Sequence, residues 1–314
     1  MNKKIYSMRR AYGEALVELG GNNPDVVVLS ADVSNSDHSY MFGEAFPDRF
    51  FNVGIAEQCL VDAAAGFAYT GKIPFANTFA FLFATRALEM VRTHLCFGQA
   101  NVKLIAAYSG LSDSFDGPTH HSITDLAIMR SLPNMTIVVP SDPVAVEKLL
   151  PQVAAWKGPV FFRLCRNEVP VLFDKEYEPE ISKAIVLREG SDVTIVGCGV
   201  ILDRCMAAAD KLGKEGISVR LIEMHTLKPL DDKCLLEAAK DTQAIVTVEE
   251  HSVIGGLGGA VCELLSEHFP VPIKRVGIRD TFAETGPYEQ LLDKYGLAVS
   301  NIVKAAKDVI ALKK

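Results

Sequence analysis

Long apolar runs and clusters of positive charge are both missing from this sequence. No segment reaches the roughly 18 apolar residues that would span a bilayer. The start, MNKKIYSMRRAYGEALVEL, has cations but no continuous apolar stretch of the kind found in secretory signals. No long run of lysine and arginine occurs and the net charge is -7, whereas a nucleic-acid surface needs clustered cations. We therefore expect a cytoplasmic protein that binds neither membranes nor nucleic acid.

Paired cysteines are missing as well. Zinc sites and redox couples use cysteines at short, fixed spacings, but each cysteine here is isolated and no CxxC occurs. The sequence therefore predicts no metal site of this kind, and reduced cysteines that behave as small core residues. They are Cys59, Cys96, Cys165, Cys198, Cys205, Cys234 and Cys262.

What is present predicts an α/β protein of two domains. The composition, 49% apolar and 23% charged, is that of a globular protein, and 314 residues are enough for two domains. Short β-branched runs alternate with amphipathic stretches such as 82–97 and 142–155, which is typical of a parallel sheet with helices on both faces. The first runs are DVVVLSAD, KIPFANTF, VKLIAAY, MTIVVP and PVFFRL.

A second series of such runs follows a charged segment that contains several prolines. We assign residues 1–166 to a first doubly wound domain, 167–188 to a linker and 189–314 to a second doubly wound domain. The second domain is predicted from DVTIVGCG, ISVRLIEM, AIVTVEEHS and VPIKRVGI. Doubly wound sheets bind ligands at the carboxyl ends of their strands, so the loops there are the first candidates for a site.

The stretch FFNVGIAEQCLVDAAAGFAYTG places one carboxylate, Glu57, at the start of a small and apolar segment. Asn52 is a candidate helix cap, and Glu57 would then lie in the first turn of a helix. There it could complement the helix dipole, which is worth about 0.3 to 1 kcal/mol, and spacing alone favours this interpretation. The functional alternative is a buried carboxylate that hydrogen-bonds a ligand nitrogen.

Three further segments each allow a structural and a functional interpretation. In TFAFLFATRALEMVR the rings of Phe79, Phe81 and Phe83 could stack on an aromatic cofactor, although a core strand that enters a helix explains them as well. The loop SDSFDGPTHHSITD could hold one histidine as a proton shuttle or leave it solvated, and its adjacent histidines suit a metal poorly. In EEHSVIGGLGGAV the glycines miss the dinucleotide-binding spacing, so close packing of a helix is the better explanation.

Several segments occur together in the order and spacing of one known family: NVGIAEQ, IPFANTFAFLFATRALEMVR, DGPTHH, LPNMTIVVPSD, TLKPLD and VEEHSVIGGLGG. They resemble the C-terminal half of a transketolase over nearly the whole chain. The resemblance implies that 1–166 is the pyrimidine-binding domain of a thiamine diphosphate enzyme and that 189–314 is a transketolase C-terminal domain. The family's GDG motif, which holds Mg2+ and the diphosphate, occurs nowhere in the sequence. The chain therefore resembles the second subunit of a split transketolase, whose partner carries that motif in an α2β2 assembly.

The resemblance also implies contacts to thiamine diphosphate. Glu57 matches the family glutamate that hydrogen-bonds N1′ of the aminopyrimidine. Phe79 matches an aromatic contact to that ring. The second family aromatic falls near Leu82 or Phe83, where the alignment slips by one residue, and Phe83 is taken. Asp32 and Val33 match a segment beside the cofactor at the subunit interface. Mg2+ would be bound mainly by the partner subunit, so no metal ligand is assigned to this chain.

A further group of residues matches the family's substrate site. His120 corresponds to the histidine that contacts the substrate carbonyl or hydroxyl and is taken, with the glutamate above, as catalytic. Asp116 corresponds to the acid that binds a donor hydroxyl. Arg9, Ser36 and Arg166 fall where full-length transketolases bind the terminal phosphate, for which a forked guanidinium is well suited.

Two departures from the family pattern leave the substrates open. Tyr108 stands where many full-length transketolases have a phosphate-contacting histidine, and SFDG replaces the usual Glu-Asp-Gly. A site that loses one donor usually changes which substrate it prefers. The resemblance implies transfer of a two-carbon ketol unit from a ketose phosphate to an aldose phosphate. The alternatives are a 2-oxo acid dehydrogenase β-type subunit, a deoxyxylulose phosphate synthase-like subunit and a non-catalytic partner subunit.

Overall fold

The computed structural model describes residues 4–313, so the ends of the predicted domains at residues 1–3 and 314 lie outside that range. Strands and helices alternate along the chain, as the sequence pattern predicts. The strands are β1 Ile5–Ser7, β2 Val26–Ser30, β3 Phe50–Asn52, β4 Ile73–Phe79, β5 Lys103–Ala107, β6 Thr136–Val138, β7 Val160–Arg163, β8 Glu168–Pro170, β9 Ile185–Arg188, β10 Val193–Cys198, β11 Val219–Glu223, β12 Thr226–Lys228, β13 Ile245–Ser252 and β14 Ile273–Ile278.

The helices lie mostly between consecutive strands. They are α1 Met8–Asn22, α2 Ser34–Asp37, α3 Tyr40–Ala45, α4 Glu57–Tyr69, α5 Ala80–Ala84, α6 Leu88–Met90, α7 Asp125–Ser131, α8 Pro143–Ala155, α9 Leu202–Lys214, α10 Asp232–Thr242, α11 Leu257–His268, α12 Tyr288–Lys294 and α13 Val299–Ile310. A π-helix follows α6 at Val91–Phe97, and short 3-10 helices lie at Pro47–Arg49, Gly117–Thr119 and Gly199–Ile201. Within residues 4–313, none of the helices is both long and apolar enough to cross a membrane.

The first sheet has the strand order β12-β6-β7-β5-β4-β2-β3. Its pairings are parallel except that β12 runs antiparallel to β6. Strand β2 shows why helices cover both faces, because VVVLS is buried throughout and offers no face suited to water. Val26 and Val28 pack in a cluster with α1 and α8. Val27 and Leu29 pack in a different cluster with α4.

The second sheet has the order β14-β13-β10-β11-β9, with only β9 antiparallel to its neighbour. Helices α9 and α13 pack on one face, and α10 and α11 pack on the other. The predicted fold class, α/β with two doubly wound sheets, is therefore confirmed. The core under α10 and α11 also contains Leu104 and Ile137 of the first sheet, so the two sheets share apolar packing.

The chain between the sheets is partly built into them. Within the predicted linker 167–188, β8 pairs with β1 and β9 forms the edge of the second sheet. Strand β12 lies in the predicted second domain, yet it pairs with β6 of the first sheet. The predicted boundaries stay a prediction. The two domains are connected by the covalent chain and also by β12, which the second domain contributes to the first sheet.

Of the two helices predicted by amphipathic pattern, one is confirmed and one is wrong. Helix α8 begins directly after Asp142, which caps it. The stretch 82–97, by contrast, is broken into α5, α6 and the π-helix. The break falls at Thr85, whose φ and ψ are -125° and -71° and whose hydroxyl donates to the Phe81 carbonyl at 2.7 Å. Such local hydrogen bonds compete with helix continuation.

The seven cysteines are all unpaired, as predicted. Four are buried, and Cys234 and Cys262 are partly buried. Cys59, however, is exposed, so the prediction of a core position is wrong for this residue. It lies on the outer face of α4 with Asp62 and Gly66, which are exposed at the same helical spacing.

Asp142 joins the first domain to the segment that leaves it. Its Oδ1 accepts from the amide of Ala145 at 2.7 Å, and its Oδ2 accepts from the amides of Leu172 and Phe173 at 2.7 and 3.0 Å. The side chain is fully buried, and burial raises the pKa of its carboxyl. Three backbone donors therefore depend on one acid.

We expect Asp142→Ala to destabilise the chain by about 2 kcal/mol or more, because an N-cap is lost and two further buried donors are left unpaired. The melting temperature of the purified chain should fall by about 4 to 8 °C, as measured by circular dichroism. Asp48→Ala, at an exposed position, is the control and should shift it little. Equal shifts for the two variants would contradict the role of Asp142.

Candidate active site

The carboxyl edge of the first sheet gathers most of the residues that the sequence singles out. Asp32 follows β2, Glu57 follows β3, Phe79 ends β4, Tyr108 follows β5 and Arg166 follows β7. Since these strands are parallel and adjacent, their carboxyl ends lie at one edge of the sheet, where α/β proteins bind ligands.

Glu57 is the first residue of α4, and only 1% of its surface is exposed. Its Oε2 accepts from Nη1 of Arg86 at 2.9 Å, and the Arg86 side chain is 48% exposed. The buried acid thus pairs with a cation that reaches solvent. The predicted cap at Asn52 is wrong, because Ala56 occupies the N-cap position. The side-chain amide of Asn52 donates to Oδ1 of Asp32 at 2.8 Å instead.

Tyr108 is the centre of an aromatic and cationic group. Its ring stacks on Phe79, with centroids 4.4 Å apart and planes at 9°. The guanidinium carbons of Arg9 and Arg166 lie 5.2 and 5.0 Å from the Tyr108 ring centre, within the range of cation–π attraction. Tyr108 also has a positive φ of 62°, which is uncommon for a bulky residue and is found most often at functional sites.

Arg9 connects this group to the segment after β2. Its Nη1 donates to the Tyr108 hydroxyl at 3.3 Å and also to the carbonyl of Ser36. Ser36 therefore contributes its main chain, not its hydroxyl, to the contact. Val33 lies one turn earlier, and its amide donates to the Ser30 hydroxyl at 3.1 Å.

The loop after β5 carries the predicted histidine, and we call residues 110–122 the histidine loop. His120 is partly buried, and its ring centroid lies 5.3 Å from that of Phe81 and 6.5 Å from that of Phe79. Its Nδ1 lies 2.9 Å from the Thr119 hydroxyl. His121, by contrast, is buried, and among residues 4–313 neither of its ring nitrogens has a hydrogen-bond partner.

Arg166 pairs with two acids of the histidine loop. It forms an ion pair with Asp113 and lies 3.5 Å from the carboxylate of Asp116. Asp116 is exposed, whereas Asp113 is fully buried. Burial, together with the neighbouring Asp116 carboxyl, raises the pKa of Asp113 to about 6. Asp113 was not among the residues singled out from sequence, since nothing in SDSFDG distinguishes it from its neighbours.

The structure thus brings one set of predicted site residues into direct contact and leaves others apart. Contacts connect Arg9, Ser36, Phe79, Asp116, His120 and Arg166, mostly through Tyr108 and Asp113. Glu57 and Asp32 lie at the same edge with separate partners, Arg86 and Asn52. Phe83 lies in the hydrophobic core with no exposed surface, so the structure does not bring it to the group.

Both parts of the chain match domains of one known protein family. The sequence model for the transketolase pyrimidine binding domain matches residues 4–171, and that for the transketolase C-terminal domain matches residues 182–302. This chain belongs to the transketolase family. Transketolases depend on thiamine diphosphate, and the resemblance predicted from the sequence is confirmed.

Relatives of the same length support this assignment. The chain is 34% identical to one subunit of the apulose-4-phosphate transketolase of Phocaeicola vulgatus, over 99% of each chain. It is 37% identical to the 6-deoxy-6-sulfo-D-fructose transketolase subunit SqwH of Clostridium sp. (strain MSTE9), over 96% of this chain and 94% of that one. A solved structure described as a split gene transketolase, inactive beta4 tetramer, is 47% identical, with a TM-score of 0.92 over 98% of this chain and 99% of that chain. The chain is therefore a transketolase-type subunit.

At the start of α11 in this transketolase-family chain, the backbone donors that could bind a phosphate are already occupied. The Glu249 carboxylate accepts from the amides of Leu257 and Gly258 at 2.7 and 2.8 Å, which are the donors that would bind an anion at a helix N-terminus. Gly258 also lies close to the Arg275 side chain. Close packing, as predicted from the sequence, is what the glycines provide.

A buried ion pair under the histidine loop was missed from sequence. Arg163 donates to both carboxylate oxygens of Asp125 at 2.9 and 3.1 Å, to the carbonyl of Ser122 at 2.9 Å and to that of Glu250 at 3.2 Å. Both charged side chains are almost fully buried. The partners are far apart in sequence, so only the fold shows that they meet.

We expect Asp125→Ala to destabilise the chain by about 3 to 5 kcal/mol, because it leaves the Arg163 charge buried without its partner. The free energy of unfolding in urea measures the effect. Lys304→Ala breaks an ion pair whose lysine side chain is 73% exposed and should change the free energy little. A loss no greater for Asp125→Ala than for this control would contradict the expectation.

Proposed function

We propose that this chain is the catalytic second subunit of a split transketolase. It would transfer a two-carbon ketol unit from a ketose phosphate to an aldose phosphate, together with a partner subunit that carries the GDG motif and binds Mg2+ and the diphosphate. The observation that carries the proposal is Glu57, a carboxylate buried at the carboxyl edge of a pyrimidine-binding domain. The helix dipole offers such a group about 0.3 to 1 kcal/mol, less than the several kcal/mol that burial of a charge costs.

The residues at this edge suit thiamine diphosphate chemically. The cofactor supplies an electron sink when the bond beside a ketose carbonyl breaks. Glu57 would hold a proton at N1′ of the aminopyrimidine, for which a buried carboxylate is the right acceptor. Phe79 would contact the same ring, and Asp32 and Val33 would lie beside the cofactor at the subunit interface.

The cationic group beside Tyr108 suits the phosphate end of a sugar. Arg9 and Arg166 both turn their guanidinium groups to the Tyr108 ring, which holds two forked donors on one side of the site. The carbonyl of Ser36 orients Arg9. His120 would donate to a substrate carbonyl or hydroxyl, and Asp116 would accept from a donor hydroxyl.

The names of the relatives support a divided enzyme. Two similar chains of matching length are named as subunits of transketolases, and the similar solved tetramer is described as inactive. Those names describe the relatives. For this chain we propose an α2β2 assembly in the cytoplasm, in which the partner closes the edge that carries Glu57.

Reconstitution tests the proposal. The chain is purified alone and with a candidate partner that carries the GDG motif, and ketol transfer is assayed with thiamine diphosphate, Mg2+ and a panel of ketose and aldose phosphates. We expect activity from the pair and none from the lone chain. Appreciable activity of the lone chain would refute the divided site, and turnover of pyruvate without turnover of any ketose would favour a 2-oxo acid enzyme.

The assembled pair also tests the catalytic role of Glu57. We expect Glu57→Ala to lower kcat by about 10²- to 10⁴-fold, the range that proton transfer by a positioned side chain contributes. Glu267→Ala, at an exposed position on α11, serves as the control and should leave kcat unchanged. Full activity of Glu57→Ala in the pair would instead favour a non-catalytic partner subunit.

Removal of the Tyr108 ring should weaken binding of the phosphate end. Tyr108→Ala takes away two cation–π contacts worth about 0.5 to 1 kcal/mol each, so KM for a phosphorylated substrate should rise about 5- to 30-fold. The same sugar without its phosphate is the internal control and should show a smaller change in KM. An equal rise for both sugars would show that Tyr108 does not act through the two arginines.

A further inference from the structure

The histidine loop is closed at its neck by the main chain. The amide of Gly110 donates to the Ser122 carbonyl at 3.1 Å, and the amide of Ser122 donates back to the Gly110 carbonyl at 2.8 Å. Between these two residues the loop has little regular structure apart from the short 3-10 helix Gly117–Thr119. Contacts with the rest of the molecule therefore contribute to where its side chains lie, beside the hydrogen bonds within the loop.

One of these contacts comes from Glu250 on β13 of the second sheet. Only 2% of Glu250 is exposed. Its Oε1 accepts from the amide of Leu111 at 2.6 Å, and its Oε2 accepts from the Tyr288 hydroxyl at 2.9 Å. A Cβ at Gly110, where φ is +61°, would lie 2.3 Å from Oε1. The carboxylate thus lies directly against the neck, and the positive φ at this position favours glycine.

A second contact reaches the far end of the loop from the segment before α12. The amide of Gly286 donates to the carbonyl of Ser114 at 3.0 Å. A Cβ at Gly117, where φ is +80°, would lie 2.2 Å from the Thr285 hydroxyl. Tyr288 follows two residues after Gly286, so one segment of the C-terminal domain touches the loop directly and also orients Glu250.

The first domain contacts the loop through Arg166, which pairs with Asp113 and Asp116 of the loop. The amide of His120 donates to the Gly117 carbonyl at 2.9 Å. The position of His120 relative to Phe79 therefore depends on Gly117, which the C-terminal domain fixes in place.

We propose that Glu250, oriented by Tyr288, is a positioning residue through which the C-terminal domain sets the histidine loop, and with it His120, against the sugar substrate. The inference rests on the proposed function in so far as His120 contacts substrate. It assigns a positioning task to a domain in which the sequence predicts no site residue. Glu250 does not touch substrate; it acts through the amide of Leu111.

The matched control is the neighbouring Glu249. It is also buried and its carboxylate also accepts two hydrogen bonds, but both come from amides at the start of α11 and none from the loop. Glu249→Ala and Glu250→Ala therefore remove similar groups from adjacent positions on β13. Glu250→Gln keeps an oxygen for the Leu111 amide, and Tyr288→Phe removes only the hydroxyl that orients the carboxylate.

Hydrogen exchange of the purified full chain, followed by mass spectrometry, measures the loop directly and needs no activity. For Glu250→Ala we expect exchange across 111–120 to become about tenfold faster, as the loss of one buried hydrogen bond implies. Glu250→Gln should stay close to wild type, and Tyr288→Phe should fall between. If Glu249→Ala accelerates the same peptides equally, or if Glu250→Ala leaves them unchanged, the proposal is overturned.

Kinetics of the assembled pair give the second readout. For Glu250→Ala we expect KM for the ketose to rise about tenfold, with the dissociation constant of thiamine diphosphate unchanged and with rescue by Glu250→Gln. An equal loss of cofactor affinity would mean general destabilisation and would overturn the proposal. If the wild-type pair shows no ketol transfer, the proposed function fails, while hydrogen exchange still decides whether Glu250 sets the loop.

Discussion

The arrangement of the site depends on the ion pair and hydrogen bonds that the buried guanidinium of Arg163 forms. This residue ends β7 of the first sheet, pairs with Asp125 at the start of α7, and binds the carbonyls of Ser122 and Glu250. One cation thus ties a strand, a helix, the neck of the histidine loop and a strand of the second sheet. A buried charge tolerates few rearrangements, because each lost partner leaves it unpaired at a cost of several kcal/mol.

The parallel sheet brings the site residues to one edge, and most of their side chains lie on the segments that follow its strands. The site divides into two parts with different physical character. At one part a buried carboxylate, Glu57, faces a half-exposed cation, Arg86. At the other, Tyr108 contacts the ring of Phe79 and two guanidinium groups. The first suits a proton on a flat heterocycle and the second suits an anion, which is the division that the proposed cofactor and sugar phosphate would require.

Much of the fold could be predicted from the sequence, because its signals are local. The fully apolar run VVVLS identifies a strand buried on both faces, and Asp142 before Pro143 identifies a helix start. The prediction failed where a side chain formed a different hydrogen bond from the one that the sequence pattern suggests. Thr85 bonded to a carbonyl and broke a helix, and Asn52 bonded to Asp32 and did not cap one.

The site could be predicted less completely, because its partners are distant in sequence. Glu57 was singled out as an isolated acid, but its partner Arg86 lies 29 residues away. Leu111 and Glu250 are separated by 139 residues, and no periodicity relates them. Family resemblance located the residues that would face ligands. It did not locate Asp113, which pairs with Arg166, or Glu250, which accepts from the amide of Leu111.

Strand β12 makes the first domain dependent on the second, although each domain has its own sheet. It comes from the second half of the chain and covers the edge of β6 in the first sheet. It is itself a short strand that is followed by Pro229, as suits an edge that must not pair with other molecules. A first domain released on its own would lose this cover and present a row of open amides and carbonyls. The C-terminal half therefore also completes the hydrogen bonding at one edge of its neighbour's sheet.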